Sequence, residues 1–414
     1  MRVVIVCDPG HVDGGASKVA ITSAQGLADA GITIDYVCTS GPFAPELNHP
    51  RIHLHCLNMA SVWDRSNPVT AARQGIWNSA ARHQMEVILG KLPQNGTVVH
   101  FHQWTKSFSP SILAVPSKLG LPAVVSLHDY FLACPNGAYY HFSGATPCAL
   151  TPMSGACLAA RCDSRSSLHK AVRIGRQIAT GKALGKAGAA LSILNVSPFA
   201  GRVIDTFLPK QHARFTVRSP IDVAKAEPVR VTENKQFVFV GRMTEEKGVR
   251  QLATAARQAN LPVTFVGGGP LLGEIQAMGA PIQCTGWQDP AGVNAILARA
   301  RALIFSSTWY ETGGLVVLEA LARGIPVLVS RSTAPADFVT DGANGFLIDP
   351  DDSQALQARM QALTCDATAE RMGRQAYNRY WTDPQTLERH VASLLSVYQT
   401  ILAGHQRPQK ADAA

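Results

Sequence analysis

Short apolar runs recur along this chain at the spacing of a layered α/β protein, and they come in two sets. Residues 3–7, 32–37, 97–101, 123–127 and 192–196 form the first; residues 237–240, 263–266, 302–305 and 326–329 form the second. A strand that is apolar at consecutive positions is covered on both faces, as in a parallel sheet whose connections are helices. Each set therefore predicts a doubly wound sheet. Between them, residues 219–234 are polar and poor in aromatic side chains, which marks a domain junction. With 414 residues there is chain enough for two well-buried cores. The expected architecture is α/β, with a first Rossmann-like domain over 1–222 and a second over 223–384. In open sheets of this kind ligands bind outside the carboxyl ends of the strands. Residues just after each run are therefore the ones to weigh.

In the second set the richest stretch is 310–330, YETGGLVVLEALARGIPVLVS. It reads as acidic loop, glycine turn, helix and strand. Glu311 falls on the loop and Glu319 on the helix, with Thr312, Gly313, Gly314 and Leu315 at the turn. A helix N-terminus presents unpaired N–H groups and a partial positive charge, which suit a phosphate. Glycines let a ligand approach the backbone, and a carboxylate on either side can accept hydrogen bonds from sugar hydroxyls. Upstream, strand 237–240 runs into Gly241-Arg242, and Lys247-Gly248 opens the next helix. An Arg fork and a Lys ammonium at a strand's carboxyl end suit a diphosphate; the alternative is two solvated cations beside Glu245 and Glu246. Gly267, Gly268 and Gly269 follow another strand, as a nucleotide-shaping turn or a plain tight turn. Trp287, after Thr285-Gly286, lies near a base or, as lone tryptophans more often do, in the core.

The first set offers its own strand ends. The loop DPGHVDGGASK, residues 8–18, follows the first run and carries Gly14-Gly15 without forming a GxGxxG fingerprint. Residues 99–102, VHFH, end a strand in His102. Strand 123–127 ends in His128-Asp129. Neutral imidazole there could donate to a hydroxyl or carbonyl oxygen; a buried structural histidine is the plainer reading.

Together these segments resemble the Glu-x7-Glu signature of retaining glycosyltransferases with the GT-B fold, family 4 above all. Glu311, Gly314, Leu315, Glu319, Ala320, Gly324, Pro326 and Val327 fit that pattern, while Thr312-Gly313 stands where an aromatic-glycine pair is usual. Gly241-Arg242 with Lys247-Gly248 resembles the element that holds the donor diphosphate. Gly14-Gly15 resembles the family's glycine loop, and His128-Asp129 matches its His-Asp element, where the histidine approaches the donor sugar. The resemblance implies two doubly wound Rossmann-like domains facing across a cleft, with helix 385–402 crossing back to the first. It implies Glu311, His128, Lys247 and Arg242 as catalytic residues. Donor binding would fall to Gly14, Gly15, Arg242, Lys247, Glu311, Thr312, Gly313, Gly314, Leu315 and Glu319.

Composition narrows the partners. Hydrophobic residues make up 46% and charged residues 16%, the balance of a globular chain and not of a disordered one. The net charge of +9 would allow nucleic acid, but no zinc finger, recognition helix or aromatic-basic RNA motif accompanies it, so no nucleic-acid partner is expected. A charged sugar nucleotide or an anionic membrane accounts for the charge equally well. Residues 165–186 carry Arg165, Lys170, Arg173, Arg176, Lys182 and Lys186 among Leu168, Val172, Ile174, Ile178 and Leu184. They read as a basic amphipathic helix for peripheral membrane contact, or as an ordinary surface helix. The opening residues read as a first core strand and not as a leader, and no apolar run reaches eighteen residues. A cytoplasmic protein is expected, at the inner face of the membrane if it docks there. The tail after Gly404 is polar and expected to fray.

Cys134, Cys148, Cys157 and Cys162 fall close together. Four thiolates are enough for a structural zinc, but the spacings are irregular and contain no CxxC pair, so ordinary packing is preferred over zinc. Residues 135–165 form a long Gly-, Pro- and Ser-containing loop expected over the acceptor side. No Asp-x-Asp element accompanies the pocket segments, so the chemistry is expected to need no cofactor, the basic groups taking a metal's place. The resulting reading is a metal-independent retaining glycosyltransferase. Its donor would be a nucleoside diphosphate sugar. Its acceptor would be a glycan or lipid-linked oligosaccharide of surface polysaccharide synthesis. The alternatives are another GT-B enzyme, such as a sugar-nucleotide epimerase or a phosphorylase, and a non-catalytic sugar-nucleotide-binding protein.

Overall fold

The computed structural model describes residues 1–406; of the tail expected to fray, residues 407–414 lie outside the described residues. In chain order the strands are β1 (Arg2–Cys7), β2 (Thr33–Cys38), β3 (Ile52–Cys56), β4 (Thr97–Gln103) and β5 (Ala123–Leu127). Then come β6 (Tyr140–His141), β7 (Thr146–Pro147), β8 (Leu191–Asn195) and β9 (Arg214–Thr216). The second half adds β10 (Gln236–Val240), β11 (Val263–Val266), β12 (Ile282–Gly286), β13 (Ala300–Phe305), β14 (Val327–Ser330) and β15 (Gly345–Ile348).

Two sheets result, in the orders β3-β2-β1-β4-β5-β8-β9 and β12-β11-β10-β13-β14-β15. Every pairing within them is parallel. In each, the chain winds outward from a central strand, then jumps back to that strand's other side and winds the opposite way. The switch points lie between β1 and β4 and between β10 and β13, where loops after adjacent strands part and leave a crevice. All nine predicted runs are strands. The four long-sheet strands not predicted, β3, β9, β12 and β15, are the four sheet edges. An edge is covered less fully, so β3 interleaves His53 and His55, β12 interleaves Gln283 and Thr285, and β9 is only three residues long.

The chain divides into two compact units. The first combines Met1–Ala138, Leu150–Pro220 and Leu387–Gln406; the second combines Tyr139–Ala149 with Ile221–Thr386. The last helix, Leu387–Gln406, packs in the first unit on helix Gly15–Asp29. A methyl at Gly26 would come within 2.8 Å of Val391 Cγ2, so the glycine sets how closely the two helices approach. Ser23 Oγ and His390 Nε2 bond at 2.8 Å, and Tyr398 OH and His100 Nδ1 at 2.7 Å, both pairs buried. The boundary expected at 222 misses one exchange. The antiparallel hairpin β6–β7 leaves the first unit's chain and joins the second. Within that unit Tyr140 is fully buried, and its hydroxyl bonds Thr308 Oγ1 at 3.0 Å.

Helix Ser167–Ala187 narrows the amphipathic reading of 165–186 to part of its cations. Lys170 and Arg176 are buried, whereas Leu168 and Ile178 are 74% and 50% exposed. The inward cations hold the loop before the helix. Lys170 Nζ donates to the carbonyls of Cys157 and Ala160 and to Cys162 Sγ. Arg176 donates to Pro135 O at 3.3 Å and lies over the Phe131 ring, and Arg173 pairs with Asp163 at 3.2 Å. An irregular buried loop leaves carbonyls in need of donors, and long cationic side chains supply them. Arg165, Lys182 and Lys186 remain outside.

Candidate functional site

In the second unit the site is built by the loops after β10 and β13, the strands flanking the switch point. The first runs through Arg242 to Lys247 and Gly248, and the second from Ser306 to Gly314. They are stitched closely. Ser306 Oγ donates to Lys247 O at 2.9 Å, and Thr308 N donates to Glu246 O at 2.9 Å. Gly248 sits at φ 65°, and a Cβ there would stand 2.0 Å from Ser306 O, so only glycine permits this approach. The Gly267–Gly269 turn packs the same way on the other side, with Met243 N donating to Gly268 O at 2.8 Å. A Cβ at Gly267 would stand 2.0 Å from Gly241 O, and one at Gly269 2.4 Å from Met243 O.

This stitching brings Lys247 to Glu311. Their side chains form an ion pair, each only 14% exposed. Glu311 Oε2 also accepts from Trp309 Nε1 at 2.8 Å and Ser307 Oγ at 3.3 Å, and the Lys247 ammonium lies 5.2 Å from the Trp309 ring centre. The backbone of Glu311 is pinned by Ala334 N, which donates to Glu311 O at 2.9 Å. Lys247 is therefore a held charge and not the mobile one expected of its residue type. Thr312 is buried; Gly313 has open space where a side chain would go. Gly314, at φ 80°, turns the chain into helix Leu315–Ala322 as its N-cap, and no side chain caps that helix. The first-turn N–H groups and the dipole's positive end thus follow directly on the carboxylate. Glu319 is half-buried on the same helix. Arg242 opens the first loop but points outward, 73% exposed and 3.6 Å from Glu246. Trp287 is 77% exposed beyond β12, which corrects the core reading. Sequence reasoning missed Trp309 and Ser307; their place between a buried strand and Glu311 was the available signal.

The first unit's switch point is built differently. Asp8, at the end of β1, is buried and accepts from three successive backbone N–H groups after β4: Lys106 at 2.8 Å, Ser107 at 2.9 Å and Phe108 at 3.2 Å. Burial pushes its carboxyl up to about 6 despite those bonds. Gly14 and Gly15 open the following helix, and a Cβ at either would meet nothing within 4 Å. Next in the sheet, His102 Nδ1 and His128 Nε2 bond at 3.0 Å, and His100 bonds Ser126 Oγ at 2.8 Å. Burial pushes His128 down to about 4 and Asp129 up to about 6, so the histidine is neutral at neutral pH.

Among the described residues, no three His, Cys, Asp or Glu side chains gather as metal ligands. Cys134, Cys157 and Cys162 are buried in the first unit, Cys134 Sγ donating to Asn136 Oδ1, while Cys148 lies in the second unit's hairpin. No helix of the described residues is long and apolar enough to cross a membrane.

Comparison with known proteins agrees with this architecture. Over 97% of the chain the structure matches sucrose-phosphate synthase from Thermosynechococcus elongatus, with a TM-score of 0.68 at 16% identity and 99% of that chain covered. It matches Anabaena HepE in complex with UDP with a TM-score of 0.65 at 14% identity, covering 97% of this chain and all of that one. The fold is that of the GT-B glycosyltransferases. Residues 221–379 match the family model described as glycosyl transferases group 1. O-antigen chain mannosyltransferase C of Escherichia coli is 29% identical over 40% of this chain and 47% of its own. D-rhamnosyltransferase WbpZ of Pseudomonas aeruginosa is 31% identical over 35% of this chain and 40% of its own. The chain thus spans less than half the length of these curated relatives. Its resemblance to family 4 glycosyltransferases is carried in sequence by the second unit and in fold by both.

Proposed function

We propose that the chain is a retaining glycosyltransferase. It would move a sugar from a nucleoside diphosphate sugar to a hydroxyl of a glycan or lipid-linked acceptor in surface polysaccharide synthesis. One observation carries the reading: the Lys247–Glu311 pair stands at a sheet switch point, immediately before a helix N-terminus that no side chain caps. Such a place suits a diphosphate, because fixed N–H groups and an ammonium face it with no reorganisation required. On donor binding the ammonium exchanges its carboxylate partner for the phosphates, and Glu311, still held by Trp309, turns to the sugar hydroxyls. Lys247, Arg242 and the N–H groups around Gly313 to Leu315 then stabilise charge growing on the departing diphosphate, which takes the acceptor's proton. Glu319 holds the ribose, exposed Trp287 stacks on the base, and neutral His128 binds the sugar by hydrogen bonds.

Names of relatives support the donor class: one solved neighbour is in complex with UDP and glucose, and a curated relative from Corynebacterium glutamicum is a GDP-mannose-dependent mannosyltransferase. A lipid-linked acceptor would bring the enzyme to an anionic membrane face, and we assign that contact to Arg165, Lys182 and Lys186 with exposed Leu168 and Ile178. The test is a panel of nucleotide sugars read by thermal shift, slow donor hydrolysis and the anomeric configuration of any product. Silence across the panel removes the enzyme reading; an inverted product removes the retaining one.

A further inference from the structure

We infer that the β6–β7 hairpin is a working part of the candidate donor site, with Tyr140 as a positioning residue for the loop that carries Glu311. The inference rests on the glycosyltransferase reading. The hairpin lies outside the segment that matches the family model, and it reaches the second unit only because the chain leaves the first for eleven residues, Tyr139–Ala149. Among what it brings there is the buried hydroxyl of Tyr140. Tyr140 is 0% exposed, and its hydroxyl is 3.0 Å from Thr308 Oγ1. Thr308 Oγ1 in turn donates to Glu246 O at 3.3 Å, and Thr308 N donates to the same carbonyl at 2.9 Å. With the threonine proton committed to Glu246, the tyrosine is the donor to Thr308. The order is Tyr140 O–H to Thr308 Oγ, then Thr308 O–H to Glu246 O, a chain in which each bond polarises the next.

The two residues so tied flank the ion pair. Glu246 directly precedes Lys247, and Thr308 stands three residues before Glu311. Burial raises the Tyr140 hydroxyl above its ordinary value, so it stays protonated and remains a donor. The neighbouring ring helps: Tyr139 packs against Tyr310, the residue before Glu311, at 6.5 Å between centres. A phenylalanine at 140 would fill the same space. What it would lack is the hydroxyl's bond to Thr308 Oγ1, and that separates positioning from packing.

The experiment compares Tyr140→Phe, Thr308→Val, the double variant and Thr308→Ser with the full-length wild type. Hydrogen exchange across residues 306–312 needs no substrate. It should quicken by about five-fold or more in each of the first two, the loss expected of one buried hydrogen bond. With whichever donor the panel identifies, kcat should fall about ten-fold at nearly constant donor KM, and the double variant should be no worse than either single one. Thr308→Ser should restore both readouts. Unchanged exchange over 306–312 in Tyr140→Phe, or losses that multiply in the double variant, would overturn the inference. A wild type that consumes no nucleotide sugar would overturn the enzyme reading instead, and the exchange data would still judge the hairpin.

Discussion

Glycines at the second unit's switch point are packed to contact: methyls at Gly248 and Gly267 would each stand 2.0 Å from a carbonyl oxygen. Those at the first unit's switch point, Gly14 and Gly15, face open space. Charge divides the same way. The second unit holds an ion pair between Lys247 and Glu311, while the first holds buried groups pushed toward neutrality, Asp8 and His128. The same topology therefore serves two ends. In the second unit glycine is demanded by the protein's own backbone, and the polar groups are assembled before any ligand arrives. In the first, Gly10 is packed against Phe43, but nothing within 4 Å requires glycine at Gly14 or Gly15, so the demand there comes from outside or is weak.

The comparison can be broken at several points. Lys247→Ala should lower transfer by about a hundred- to a thousand-fold, the range for removing one preorganised charge stabiliser. It should lower stability by much less, because Glu311 keeps its bonds from Trp309 and Ser307. A turnover rate within three-fold of wild type, by donor-consumption assay, would remove the phosphate role. Gly267→Ala should cost roughly 3 kcal/mol or more, from a clash with backbone at a φ of 135°. Thermal unfolding reads this directly, and a melting temperature near wild type would show that the loop can move.

Titration tests the first unit. His128 is held at about 4, below the ordinary value, so between pH 6.5 and 4 the unfolded chain takes up a proton the folded one refuses. Stability present above that window is lost as pH falls through it, on the order of 3 kcal/mol. His128→Gln should shrink that acid-side loss in melts recorded across pH. Asp8, raised to about 6, works in the opposite direction: its cost is absent at acid pH and grows as pH rises through about 6. The smallest effect belongs to Gly14→Ala, expected within about 0.5 kcal/mol of wild-type stability while donor or acceptor KM rises. A large stability loss there would mean that the two glycine loops are alike after all.

Much of the fold was legible because central strands are covered on both faces. Residues 3–7 or 302–305 announce themselves as uninterrupted apolar runs, whereas edge strand β3 mixes in His53 and His55. Helix Ser167–Ala187 was legible as a helical stretch, but the inward turn of its Lys170 and Arg176 was not. A charge reads as solvated until the loop carbonyls that need it are known. Spacing placed Glu311 and Lys247 at strand ends. It could not show their pairing, since that depends on Gly248 meeting Ser306, 58 residues further along the chain. Nor could it show that Tyr140 leaves its neighbours, because two-residue strands carry no periodicity.

That departure bears on how the molecule can be recombined. The polypeptide passes between its two units at Ala138, Ala149, Pro220 and Thr386, so the unit that carries Lys247 and Glu311 is not one contiguous cassette. A chimera that transplants residues 221–386 into another scaffold carries Thr308 without the tyrosine that reaches it. On the proposed function, donor preference would be portable only when the eleven residues Tyr139–Ala149 travel with it.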